Sequence, residues 1–363
     1  MKAAVLRQAP GRLEIEDVEI DSPATGEVLV RTAAAGVCHS DQHVLEGQVN
    51  FFPTPMVLGH ESAGVVEAVG EGVTYVEPGD HVVTCLSVFC GHCDFCLTGR
   101  AFSCMTDESA LARGEGRPRL TSGGETMNQF VNLSSFAEQL LINQNALVKI
   151  REDMPLEKAA LLGCGVTTGM GAAINSAQVT PGSKVVVIGV GGVGLAALQG
   201  ARISGAAQIV AVDMHGHKLE LAKRLGATDV VDASKDEPVQ AVLDLTGGGV
   251  DFGFEAIGLP ETTRQMFSMT RSGGLATVVG ILPVGAEIPM TGADFMGSKR
   301  YQSSMMGGGS FRVEVPRYID FYLNGQLRLD EMVSQTLPLE RINDAFDSMT
   351  RGEVARSVIV FDS

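Results

Sequence analysis

Tryptophan is absent from the 363-residue sequence, and aromatic residues make up only 5% of it. Hydrophobic residues still reach 45% and charged residues 19%, an ordinary globular profile long enough for two domains with cores of their own. Basic side chains are in the minority, with 27 Lys and Arg against 43 Asp and Glu and a formal net charge of −16. That balance argues against nucleic acid or an anionic membrane as partner, because both need a basic patch. No apolar run approaches the ~20 residues that span a bilayer. The opening stretch, Met1 to Pro10, is too short and too charged for a signal peptide, so a cytoplasmic location is expected. Without an export signal, the seven cysteines point to metal or thiol chemistry rather than to disulfides.

Four of those cysteines fall close together: Cys90, Cys93, Cys96 and Cys104, in the spacing C-x2-C-x2-C-x7-C. Four thiolates at short spacing suit a closed, tetrahedral structural zinc. Three further residues of ligating type, Cys38, His60 and Cys164, lie outside that window. Singly, each reads equally well as a packed thiol or an ordinary histidine. Together they suggest a second metal ion with a different task. Cys85 is left over and is expected to be a core thiol.

Residues 1 to about 150 carry short apolar or alternating runs bounded by Gly and Pro, such as Glu27–Thr32 and Ser62–Gly70, and read as a β-rich domain. The polar, Gly-rich stretch from Met105 to Ser135 reads as a long surface loop. After Pro155 the pattern changes to strands alternating with helices, which gives an α/β unit with a doubly wound parallel sheet. Beyond Gly307 it becomes mixed again, with a helix at Val315–Asn324 and a final strand near Ser357–Phe361.

Gly189-Val190-Gly191-Gly192-Val193-Gly194 fits G-x-G-x-x-G between a predicted strand and a predicted helix. Glycines there let the backbone approach a pyrophosphate, and the helix N-terminus offers free N–H groups to the anion. The next strand ends in Asp213, where a carboxylate accepts from an adenosine ribose and repels a 2′-phosphate. NAD is therefore favoured over NADP. His215, His217 and Lys218 nearby soften this preference, since a cation there could meet a phosphate, and Lys218 is itself a candidate ribose donor.

The Gly59-His60-Glu61 segment, the four-Cys lobe and the nucleotide fingerprint stand in the order found in the zinc-dependent alcohol dehydrogenases of the medium-chain dehydrogenase/reductase family. The chain resembles that family over essentially its whole length. The resemblance implies a GroES-like β-rich catalytic domain from residues 1–165 and 306–363, with a structural zinc lobe at 85–110. It implies a Rossmann coenzyme domain at 166–305.

Carried over motif by motif, Cys38, His60 and Cys164 resemble catalytic zinc ligands, a set that leaves one position open for water or substrate. Glu61 resembles an occasional ligand, and Asp41 the carboxylate that orients the ligand histidine. Ser40 and His43 resemble a relay that moves the alcohol proton to solvent by way of the nicotinamide ribose. Thr168, Val193 and Val279 fall at the nicotinamide end, and His39 and Arg356 at the pyrophosphate. The expected activity is NAD-dependent interconversion of alcohols with aldehydes or ketones, with two zinc ions per subunit. A homodimer is expected from the Met105–Ser135 segment.

His39 stands where many relatives have Arg, which implies weaker or pH-dependent coenzyme binding. Ser40 in place of Thr, with Leu86 in place of an aromatic residue, implies room for secondary or branched alcohols. Phe51, Phe52 and Phe136 are expected to line an apolar pocket. Glutathione-dependent formaldehyde oxidation and a nicotinoprotein with tightly held NAD are the runner-up substrate readings. The first is opposed by the lack of a basic cluster near Phe51–Pro55. A non-catalytic, zinc-stabilised nucleotide-binding protein is the alternative of a different class, and the full ligand set weighs against it.

Overall fold

The computed structural model describes residues 1–49, 51–105 and 117–362. The chain forms two units. Residues 1–164, 310–325 and 333–363 make the first, and residues 165–309 and 326–332 make the second. The short 326–332 segment thus clusters with the second unit although its neighbours on both sides belong to the first.

The first unit is built from two sheets. One runs in the order Leu13–Asp17, Lys2–Leu6, Met56–Val57, Glu125–Gln129, Leu120–Ser122, Glu19–Ile20. The other runs Leu147–Lys149, His81–Thr84, Ser62–Val69, Glu27–Gly36, Arg356–Val360, Val333–Pro338, with Gln139–Asn143 also paired to Glu27–Gly36. Alternate apolar residues of these strands, among them Val28, Val30, Val66, Val82, Leu140 and Ile142, close into one core.

Register in the second sheet positions the chemistry. Ala35 pairs with Ser62, and Val358 pairs with Gly36. The end of Glu27–Gly36 therefore meets the start of Ser62–Val69 and the start of Arg356–Val360 at one edge. Residues far apart in sequence converge there.

The second unit is a six-stranded parallel sheet. Its order is Asp229–Asp232, Gln208–Asp213, Lys184–Ile188, Val250–Glu255, Thr270–Val278, Arg300–Ser303. Lys184-Val-Val-Val-Ile is apolar throughout because parallel strands are covered on both faces. In sequence order these strands read 3-2-1-4-5-6, so the switch point lies between Lys184–Ile188 and Val250–Glu255.

The segment Met105–Ser135 departs from the expectation of a loop. Its residues 106–116 lie outside the described ones. The remainder contains an antiparallel hairpin, Leu120–Ser122 with Glu125–Gln129. Polar side chains hide the strands, but the Gly123-Gly124 pair with φ of 57° and 83° is a hairpin-turn signature.

Candidate active site

Cys38 caps the helix His39–Leu45, which begins where strand Glu27–Gly36 ends. Gly59 has φ 95°, and an added Cβ would sit 2.6 Å from the Phe136 nitrogen, so only glycine turns the chain here into His60 and Glu61. Cys164 arrives by a third route, at the end of the 3-10 turn Ala160–Gly163. A Cβ on Gly163 would lie 2.6 Å from the Thr84 carbonyl and 3.3 Å from the Glu61 Cα. That close approach brings Cys164 beside the other residues.

One donor atom from each of Cys38, His60, Glu61 and Cys164 lies within 4.8 Å of the others, and all four residues are buried. His60 Nδ1 and the Gly59 N–H both meet Asp41 Oδ1 at 3.1 Å. With Asp41 accepting at Nδ1, the neutral imidazole that a metal ion requires carries its lone pair on Nε2. Nε2 and Glu61 Oε1 are buried without a hydrogen-bond partner. Buried polar atoms left unpaired are costly, and a cation among two thiols, an imidazole and a carboxylate satisfies both.

The electrostatics fit a cation. The hydrogen bond from Cys164 and the nearby His60 draw the Cys38 thiol well below its ordinary value, although burial opposes them. The Cys164 thiol, which shares that hydrogen bond and is buried, is pushed well above it. Burial raises Glu61 to about 7 against the pull of Arg356. A metal ion binding both sulfurs would displace the one proton they share to solvent.

Four half-buried cysteines, Cys90, Cys93, Cys96 and Cys104, also bring their sulfurs within 4.8 Å of one another. Backbone N–H groups of Cys93 and His92 donate to Cys90 Sγ at 3.3 and 3.5 Å, and the Cys90 N–H donates to Cys104 Sγ at 3.3 Å. Donors aimed at sulfur favour thiolates, and the tetrad fits a closed zinc site. Burial lifts Cys96 to about 12 in the absence of a cation. Cys85 is buried elsewhere, and its burial lifts it to about 11.

Ser40 Oγ lies 3.8 Å from Cys38 Sγ, and His43 Nδ1 lies 2.7 Å from Gln48 Oε1 one turn further along the same helix. His39 is exposed at the first position of that helix. Arg356 is 5% exposed and bonds Glu61 Oε2. A solvent-facing charge beside the last strand is therefore ruled out for it.

In the second unit, Gly189 has φ 84°, Gly191 caps the helix Gly192–Ile203, and Val193 lies in its first turn. A Cβ on Gly194 would sit 1.8 Å from the Gly189 carbonyl. Asp213 ends its strand and accepts from the Val190 N–H and the His215 N–H, both at 3.0 Å. Lys218 is half-buried on the following helix. Thr168 Oγ1 donates to Met306 Sδ at 3.6 Å, and the Val279 N–H to the Glu255 carbonyl at 2.8 Å.

One aromatic expectation changes. Phe136 is fully buried in the core with its ring 6.0 Å from Phe346, so it belongs to packing. Phe130, which the sequence did not single out, stands edge-on to His60 with ring centroids 5.6 Å apart. Phe52 packs edge-on against Phe130 at 4.9 Å, and Phe51 lies tilted against Phe52 at 4.6 Å. Leu86 packs against the strand core.

Two family models match the chain: the alcohol dehydrogenase GroES-like domain over residues 24–152 and the zinc-binding dehydrogenase over residues 192–324. The alcohol dehydrogenase class-3 of Drosophila melanogaster is 40% identical, over 99% of this chain and 97% of its own. The crystal structure of a benzyl alcohol dehydrogenase from Acinetobacter calcoaceticus superposes with a TM-score of 0.93 at 36% identity, over 99% of each chain. A zinc-binding dehydrogenase from Sinorhizobium meliloti, solved with NADP, superposes with a TM-score of 0.82 at 26% identity over 99% of each chain. The chain belongs to the zinc-dependent alcohol dehydrogenases of the medium-chain dehydrogenase/reductase family. Zinc and a nicotinamide dinucleotide are the cofactors of that class.

Proposed function

We propose that the protein oxidises hydrophobic primary or secondary alcohols to aldehydes or ketones, and reduces them in reverse, with NAD as coenzyme. The observation that carries this reading is the buried Cys38, His60, Glu61 and Cys164 cluster with an unpartnered His60 Nε2. Zinc bound there supplies the Lewis acidity that lets an alcohol lose its proton near neutral pH, and the nicotinamide supplies the hydride acceptor.

The chain's own residues do the rest. Cys38, His60 and Cys164 hold the ion, and Asp41 fixes the His60 tautomer and ring orientation through Nδ1. Ser40 accepts the alcohol proton as it gives up its own to a relay that ends at His43, which releases a proton to solvent. Arg356 pairs with Glu61 Oε2, and Glu61 Oε1 is left as an occasional ligand. Gly189, Gly191, Gly192, Val193 and Gly194 cradle the coenzyme pyrophosphate. Thr168 and Val279 pack the nicotinamide, while Asp213 and Lys218 recognise the ribose. Cys90, Cys93, Cys96 and Cys104 hold the structural zinc.

The aromatic series Phe51, Phe52 and Phe130 beside His60 supports an apolar and aromatic substrate, as does the likeness to a benzyl alcohol dehydrogenase. Asp213 supports NAD, and the likeness to a protein solved with NADP makes both coenzymes necessary in any assay.

A homodimer is supported by Arg300–Ser303, which is the outermost strand of its sheet among the described residues. Near it in sequence, Ile281, Val284, Phe295 and Met296 are 56–88% exposed. A cytoplasmic location fits cysteines gathered at ligand distance, Cys38 with Cys164 and Cys90, Cys93 and Cys96 with Cys104. No helix among the described residues is long and apolar enough to cross a membrane.

The test is a screen of primary, secondary and aromatic alcohols with NAD+ and NADP+, before and after chelation. Metal-dependent oxidation of hydrophobic alcohols with NAD+ is expected. Equal turnover after complete removal of zinc would refute the reading. Ser40→Thr should lower turnover of secondary relative to primary alcohols, and an unchanged ratio would remove Ser40 from the pocket.

A further inference from the structure

Strand Val250–Glu255 runs into the switch point of the parallel sheet with a glutamate as its last residue. Glu255 has no exposed surface. Taking a carboxylate out of water is costly, so its contacts need explaining.

Glu255 Oε1 accepts three hydrogen bonds: from the Ile257 N–H at 2.9 Å, the Gly258 N–H at 2.8 Å and the Thr262 hydroxyl at 2.8 Å. The Glu255 backbone carbonyl accepts two more, from the Val279 N–H at 2.8 Å and the Gly280 N–H at 2.9 Å. The next residue, Ala256, donates its N–H to the Ile188 carbonyl at 2.9 Å, immediately before the fingerprint glycine Gly189. One residue and its neighbour thereby bind the ends of three adjacent strands.

The three loops so joined have no slack. A Cβ on Gly189 would lie 2.3 Å from Ile257 Cγ1, and one on Gly258 would lie 2.2 Å from the Ile281 carbonyl. One on Gly280 would lie 2.2 Å from the Gly258 nitrogen. The phosphate turn therefore rests on residue 257, and residue 258 rests on the loop that follows Val279. These loops lie at the carboxyl ends of the strands flanking the switch point, where open α/β sheets bind their ligands.

We propose that Glu255 is a positioning residue for the coenzyme. Its carboxylate fixes the 256–259 loop, and through it the phosphate turn at Gly189 and the loop carrying Val279, in the shape that receives the dinucleotide. Glu255 touches no substrate and acts only through these loops. The inference rests on the reading of the second unit as the coenzyme site.

The test measures NAD+ and NADH dissociation constants on the zinc-loaded protein for wild type, Glu255→Gln, Glu255→Ala and Thr262→Val. Glu255→Gln keeps an acceptor oxygen but loses the charge that strengthens its three bonds, so NAD+ should bind about tenfold more weakly. Glu255→Ala should weaken binding further. Thr262→Val, which deletes one of the three donors, should cost about fivefold.

KM for NAD+ should rise in step with these constants, while kcat at saturating coenzyme falls less than threefold and the zinc content stays at the wild-type value. Should Glu255→Ala fail to fold, the Gln and Val variants decide the matter. Folded variants that bind NAD+ as tightly as wild type overturn the proposal, as does a loss of kcat without a rise in KM. A wild-type protein that binds neither NAD+ nor NADP+ instead overturns the coenzyme reading on which the proposal stands.

Discussion

Asp41 Oδ1 meets His60 Nδ1, which leaves Nε2 to face the proposed catalytic zinc. Removing such a carboxylate typically costs a metal site about 10–100-fold in affinity. Asp41→Ala should therefore release the catalytic zinc at correspondingly lower chelator concentration, while the Cys90–Cys104 zinc is retained. Chelator competition followed by metal analysis checks both halves of that expectation.

Glu255 carries a second prediction, about pH. Burial raises its carboxyl above the ordinary range, although hydrogen bonds from Gly258, Thr262 and Ile257 oppose this. The folded protein then holds this proton more tightly than the unfolded chain. Its contribution to stability is complete below the unfolded value of about 4.3 and is lost as pH rises through the folded value. Wild type should lose stability relative to Glu255→Gln as pH rises from about 4.3. Parallel denaturation midpoints for the two proteins at every pH would show that the carboxyl does not titrate this way.

At the scale of elements, the phosphate turn separates two kinds of glycine. An added Cβ at Gly191 meets nothing in the protein within 4 Å, whereas at Gly194 it would collide with the Gly189 carbonyl at 1.8 Å. Gly191→Ala should fold with a near-normal melting temperature and lose coenzyme affinity, because the methyl occupies the approach of the pyrophosphate. Gly194→Ala should lower the melting temperature itself, by several degrees for each kcal/mol of strain, or about 2–4 °C per kcal/mol in a domain of this size. Thermal melts paired with NAD+ titration separate the two outcomes.

The same scale shows what could be read in advance. The helix after Gly191, the strand ending at Asp213 and the His39–Leu45 helix are written in local patterns of glycine, apolar runs and ligand spacing. The choice of Phe130 over Phe136 at His60 is not. It depends on a turn in which Val131, Asn132 and Ser134 take φ of 46°, 60° and 66°, a conformation that non-glycine residues seldom adopt. Glu255 was equally hidden, since a glutamate that closes an apolar strand resembles a solvated end until its three donors are seen.

At the scale of the molecule, the metal chemistry was the most legible part, because cysteine and histidine at ligand spacing are chemically distinctive. What the spacing of Cys38, His60 and Cys164 could not supply was their meeting point. That is set by the pairing of Ala35 with Ser62 and by the tight passage of Gly163 past Thr84. The thiolate lobe and the mixed site are then separate centres, and a change at one should leave the other loaded.

The most direct measurement is zinc stoichiometry and NAD-dependent alcohol oxidation in purified Cys164→Ala beside wild type. We expect two zinc ions per chain in wild type, one in the variant, and no measurable oxidation once the second ion is gone. A variant that keeps both ions, or that turns over alcohol at the wild-type rate with one, would contradict the assignment of Cys38, His60 and Cys164 as the catalytic metal site.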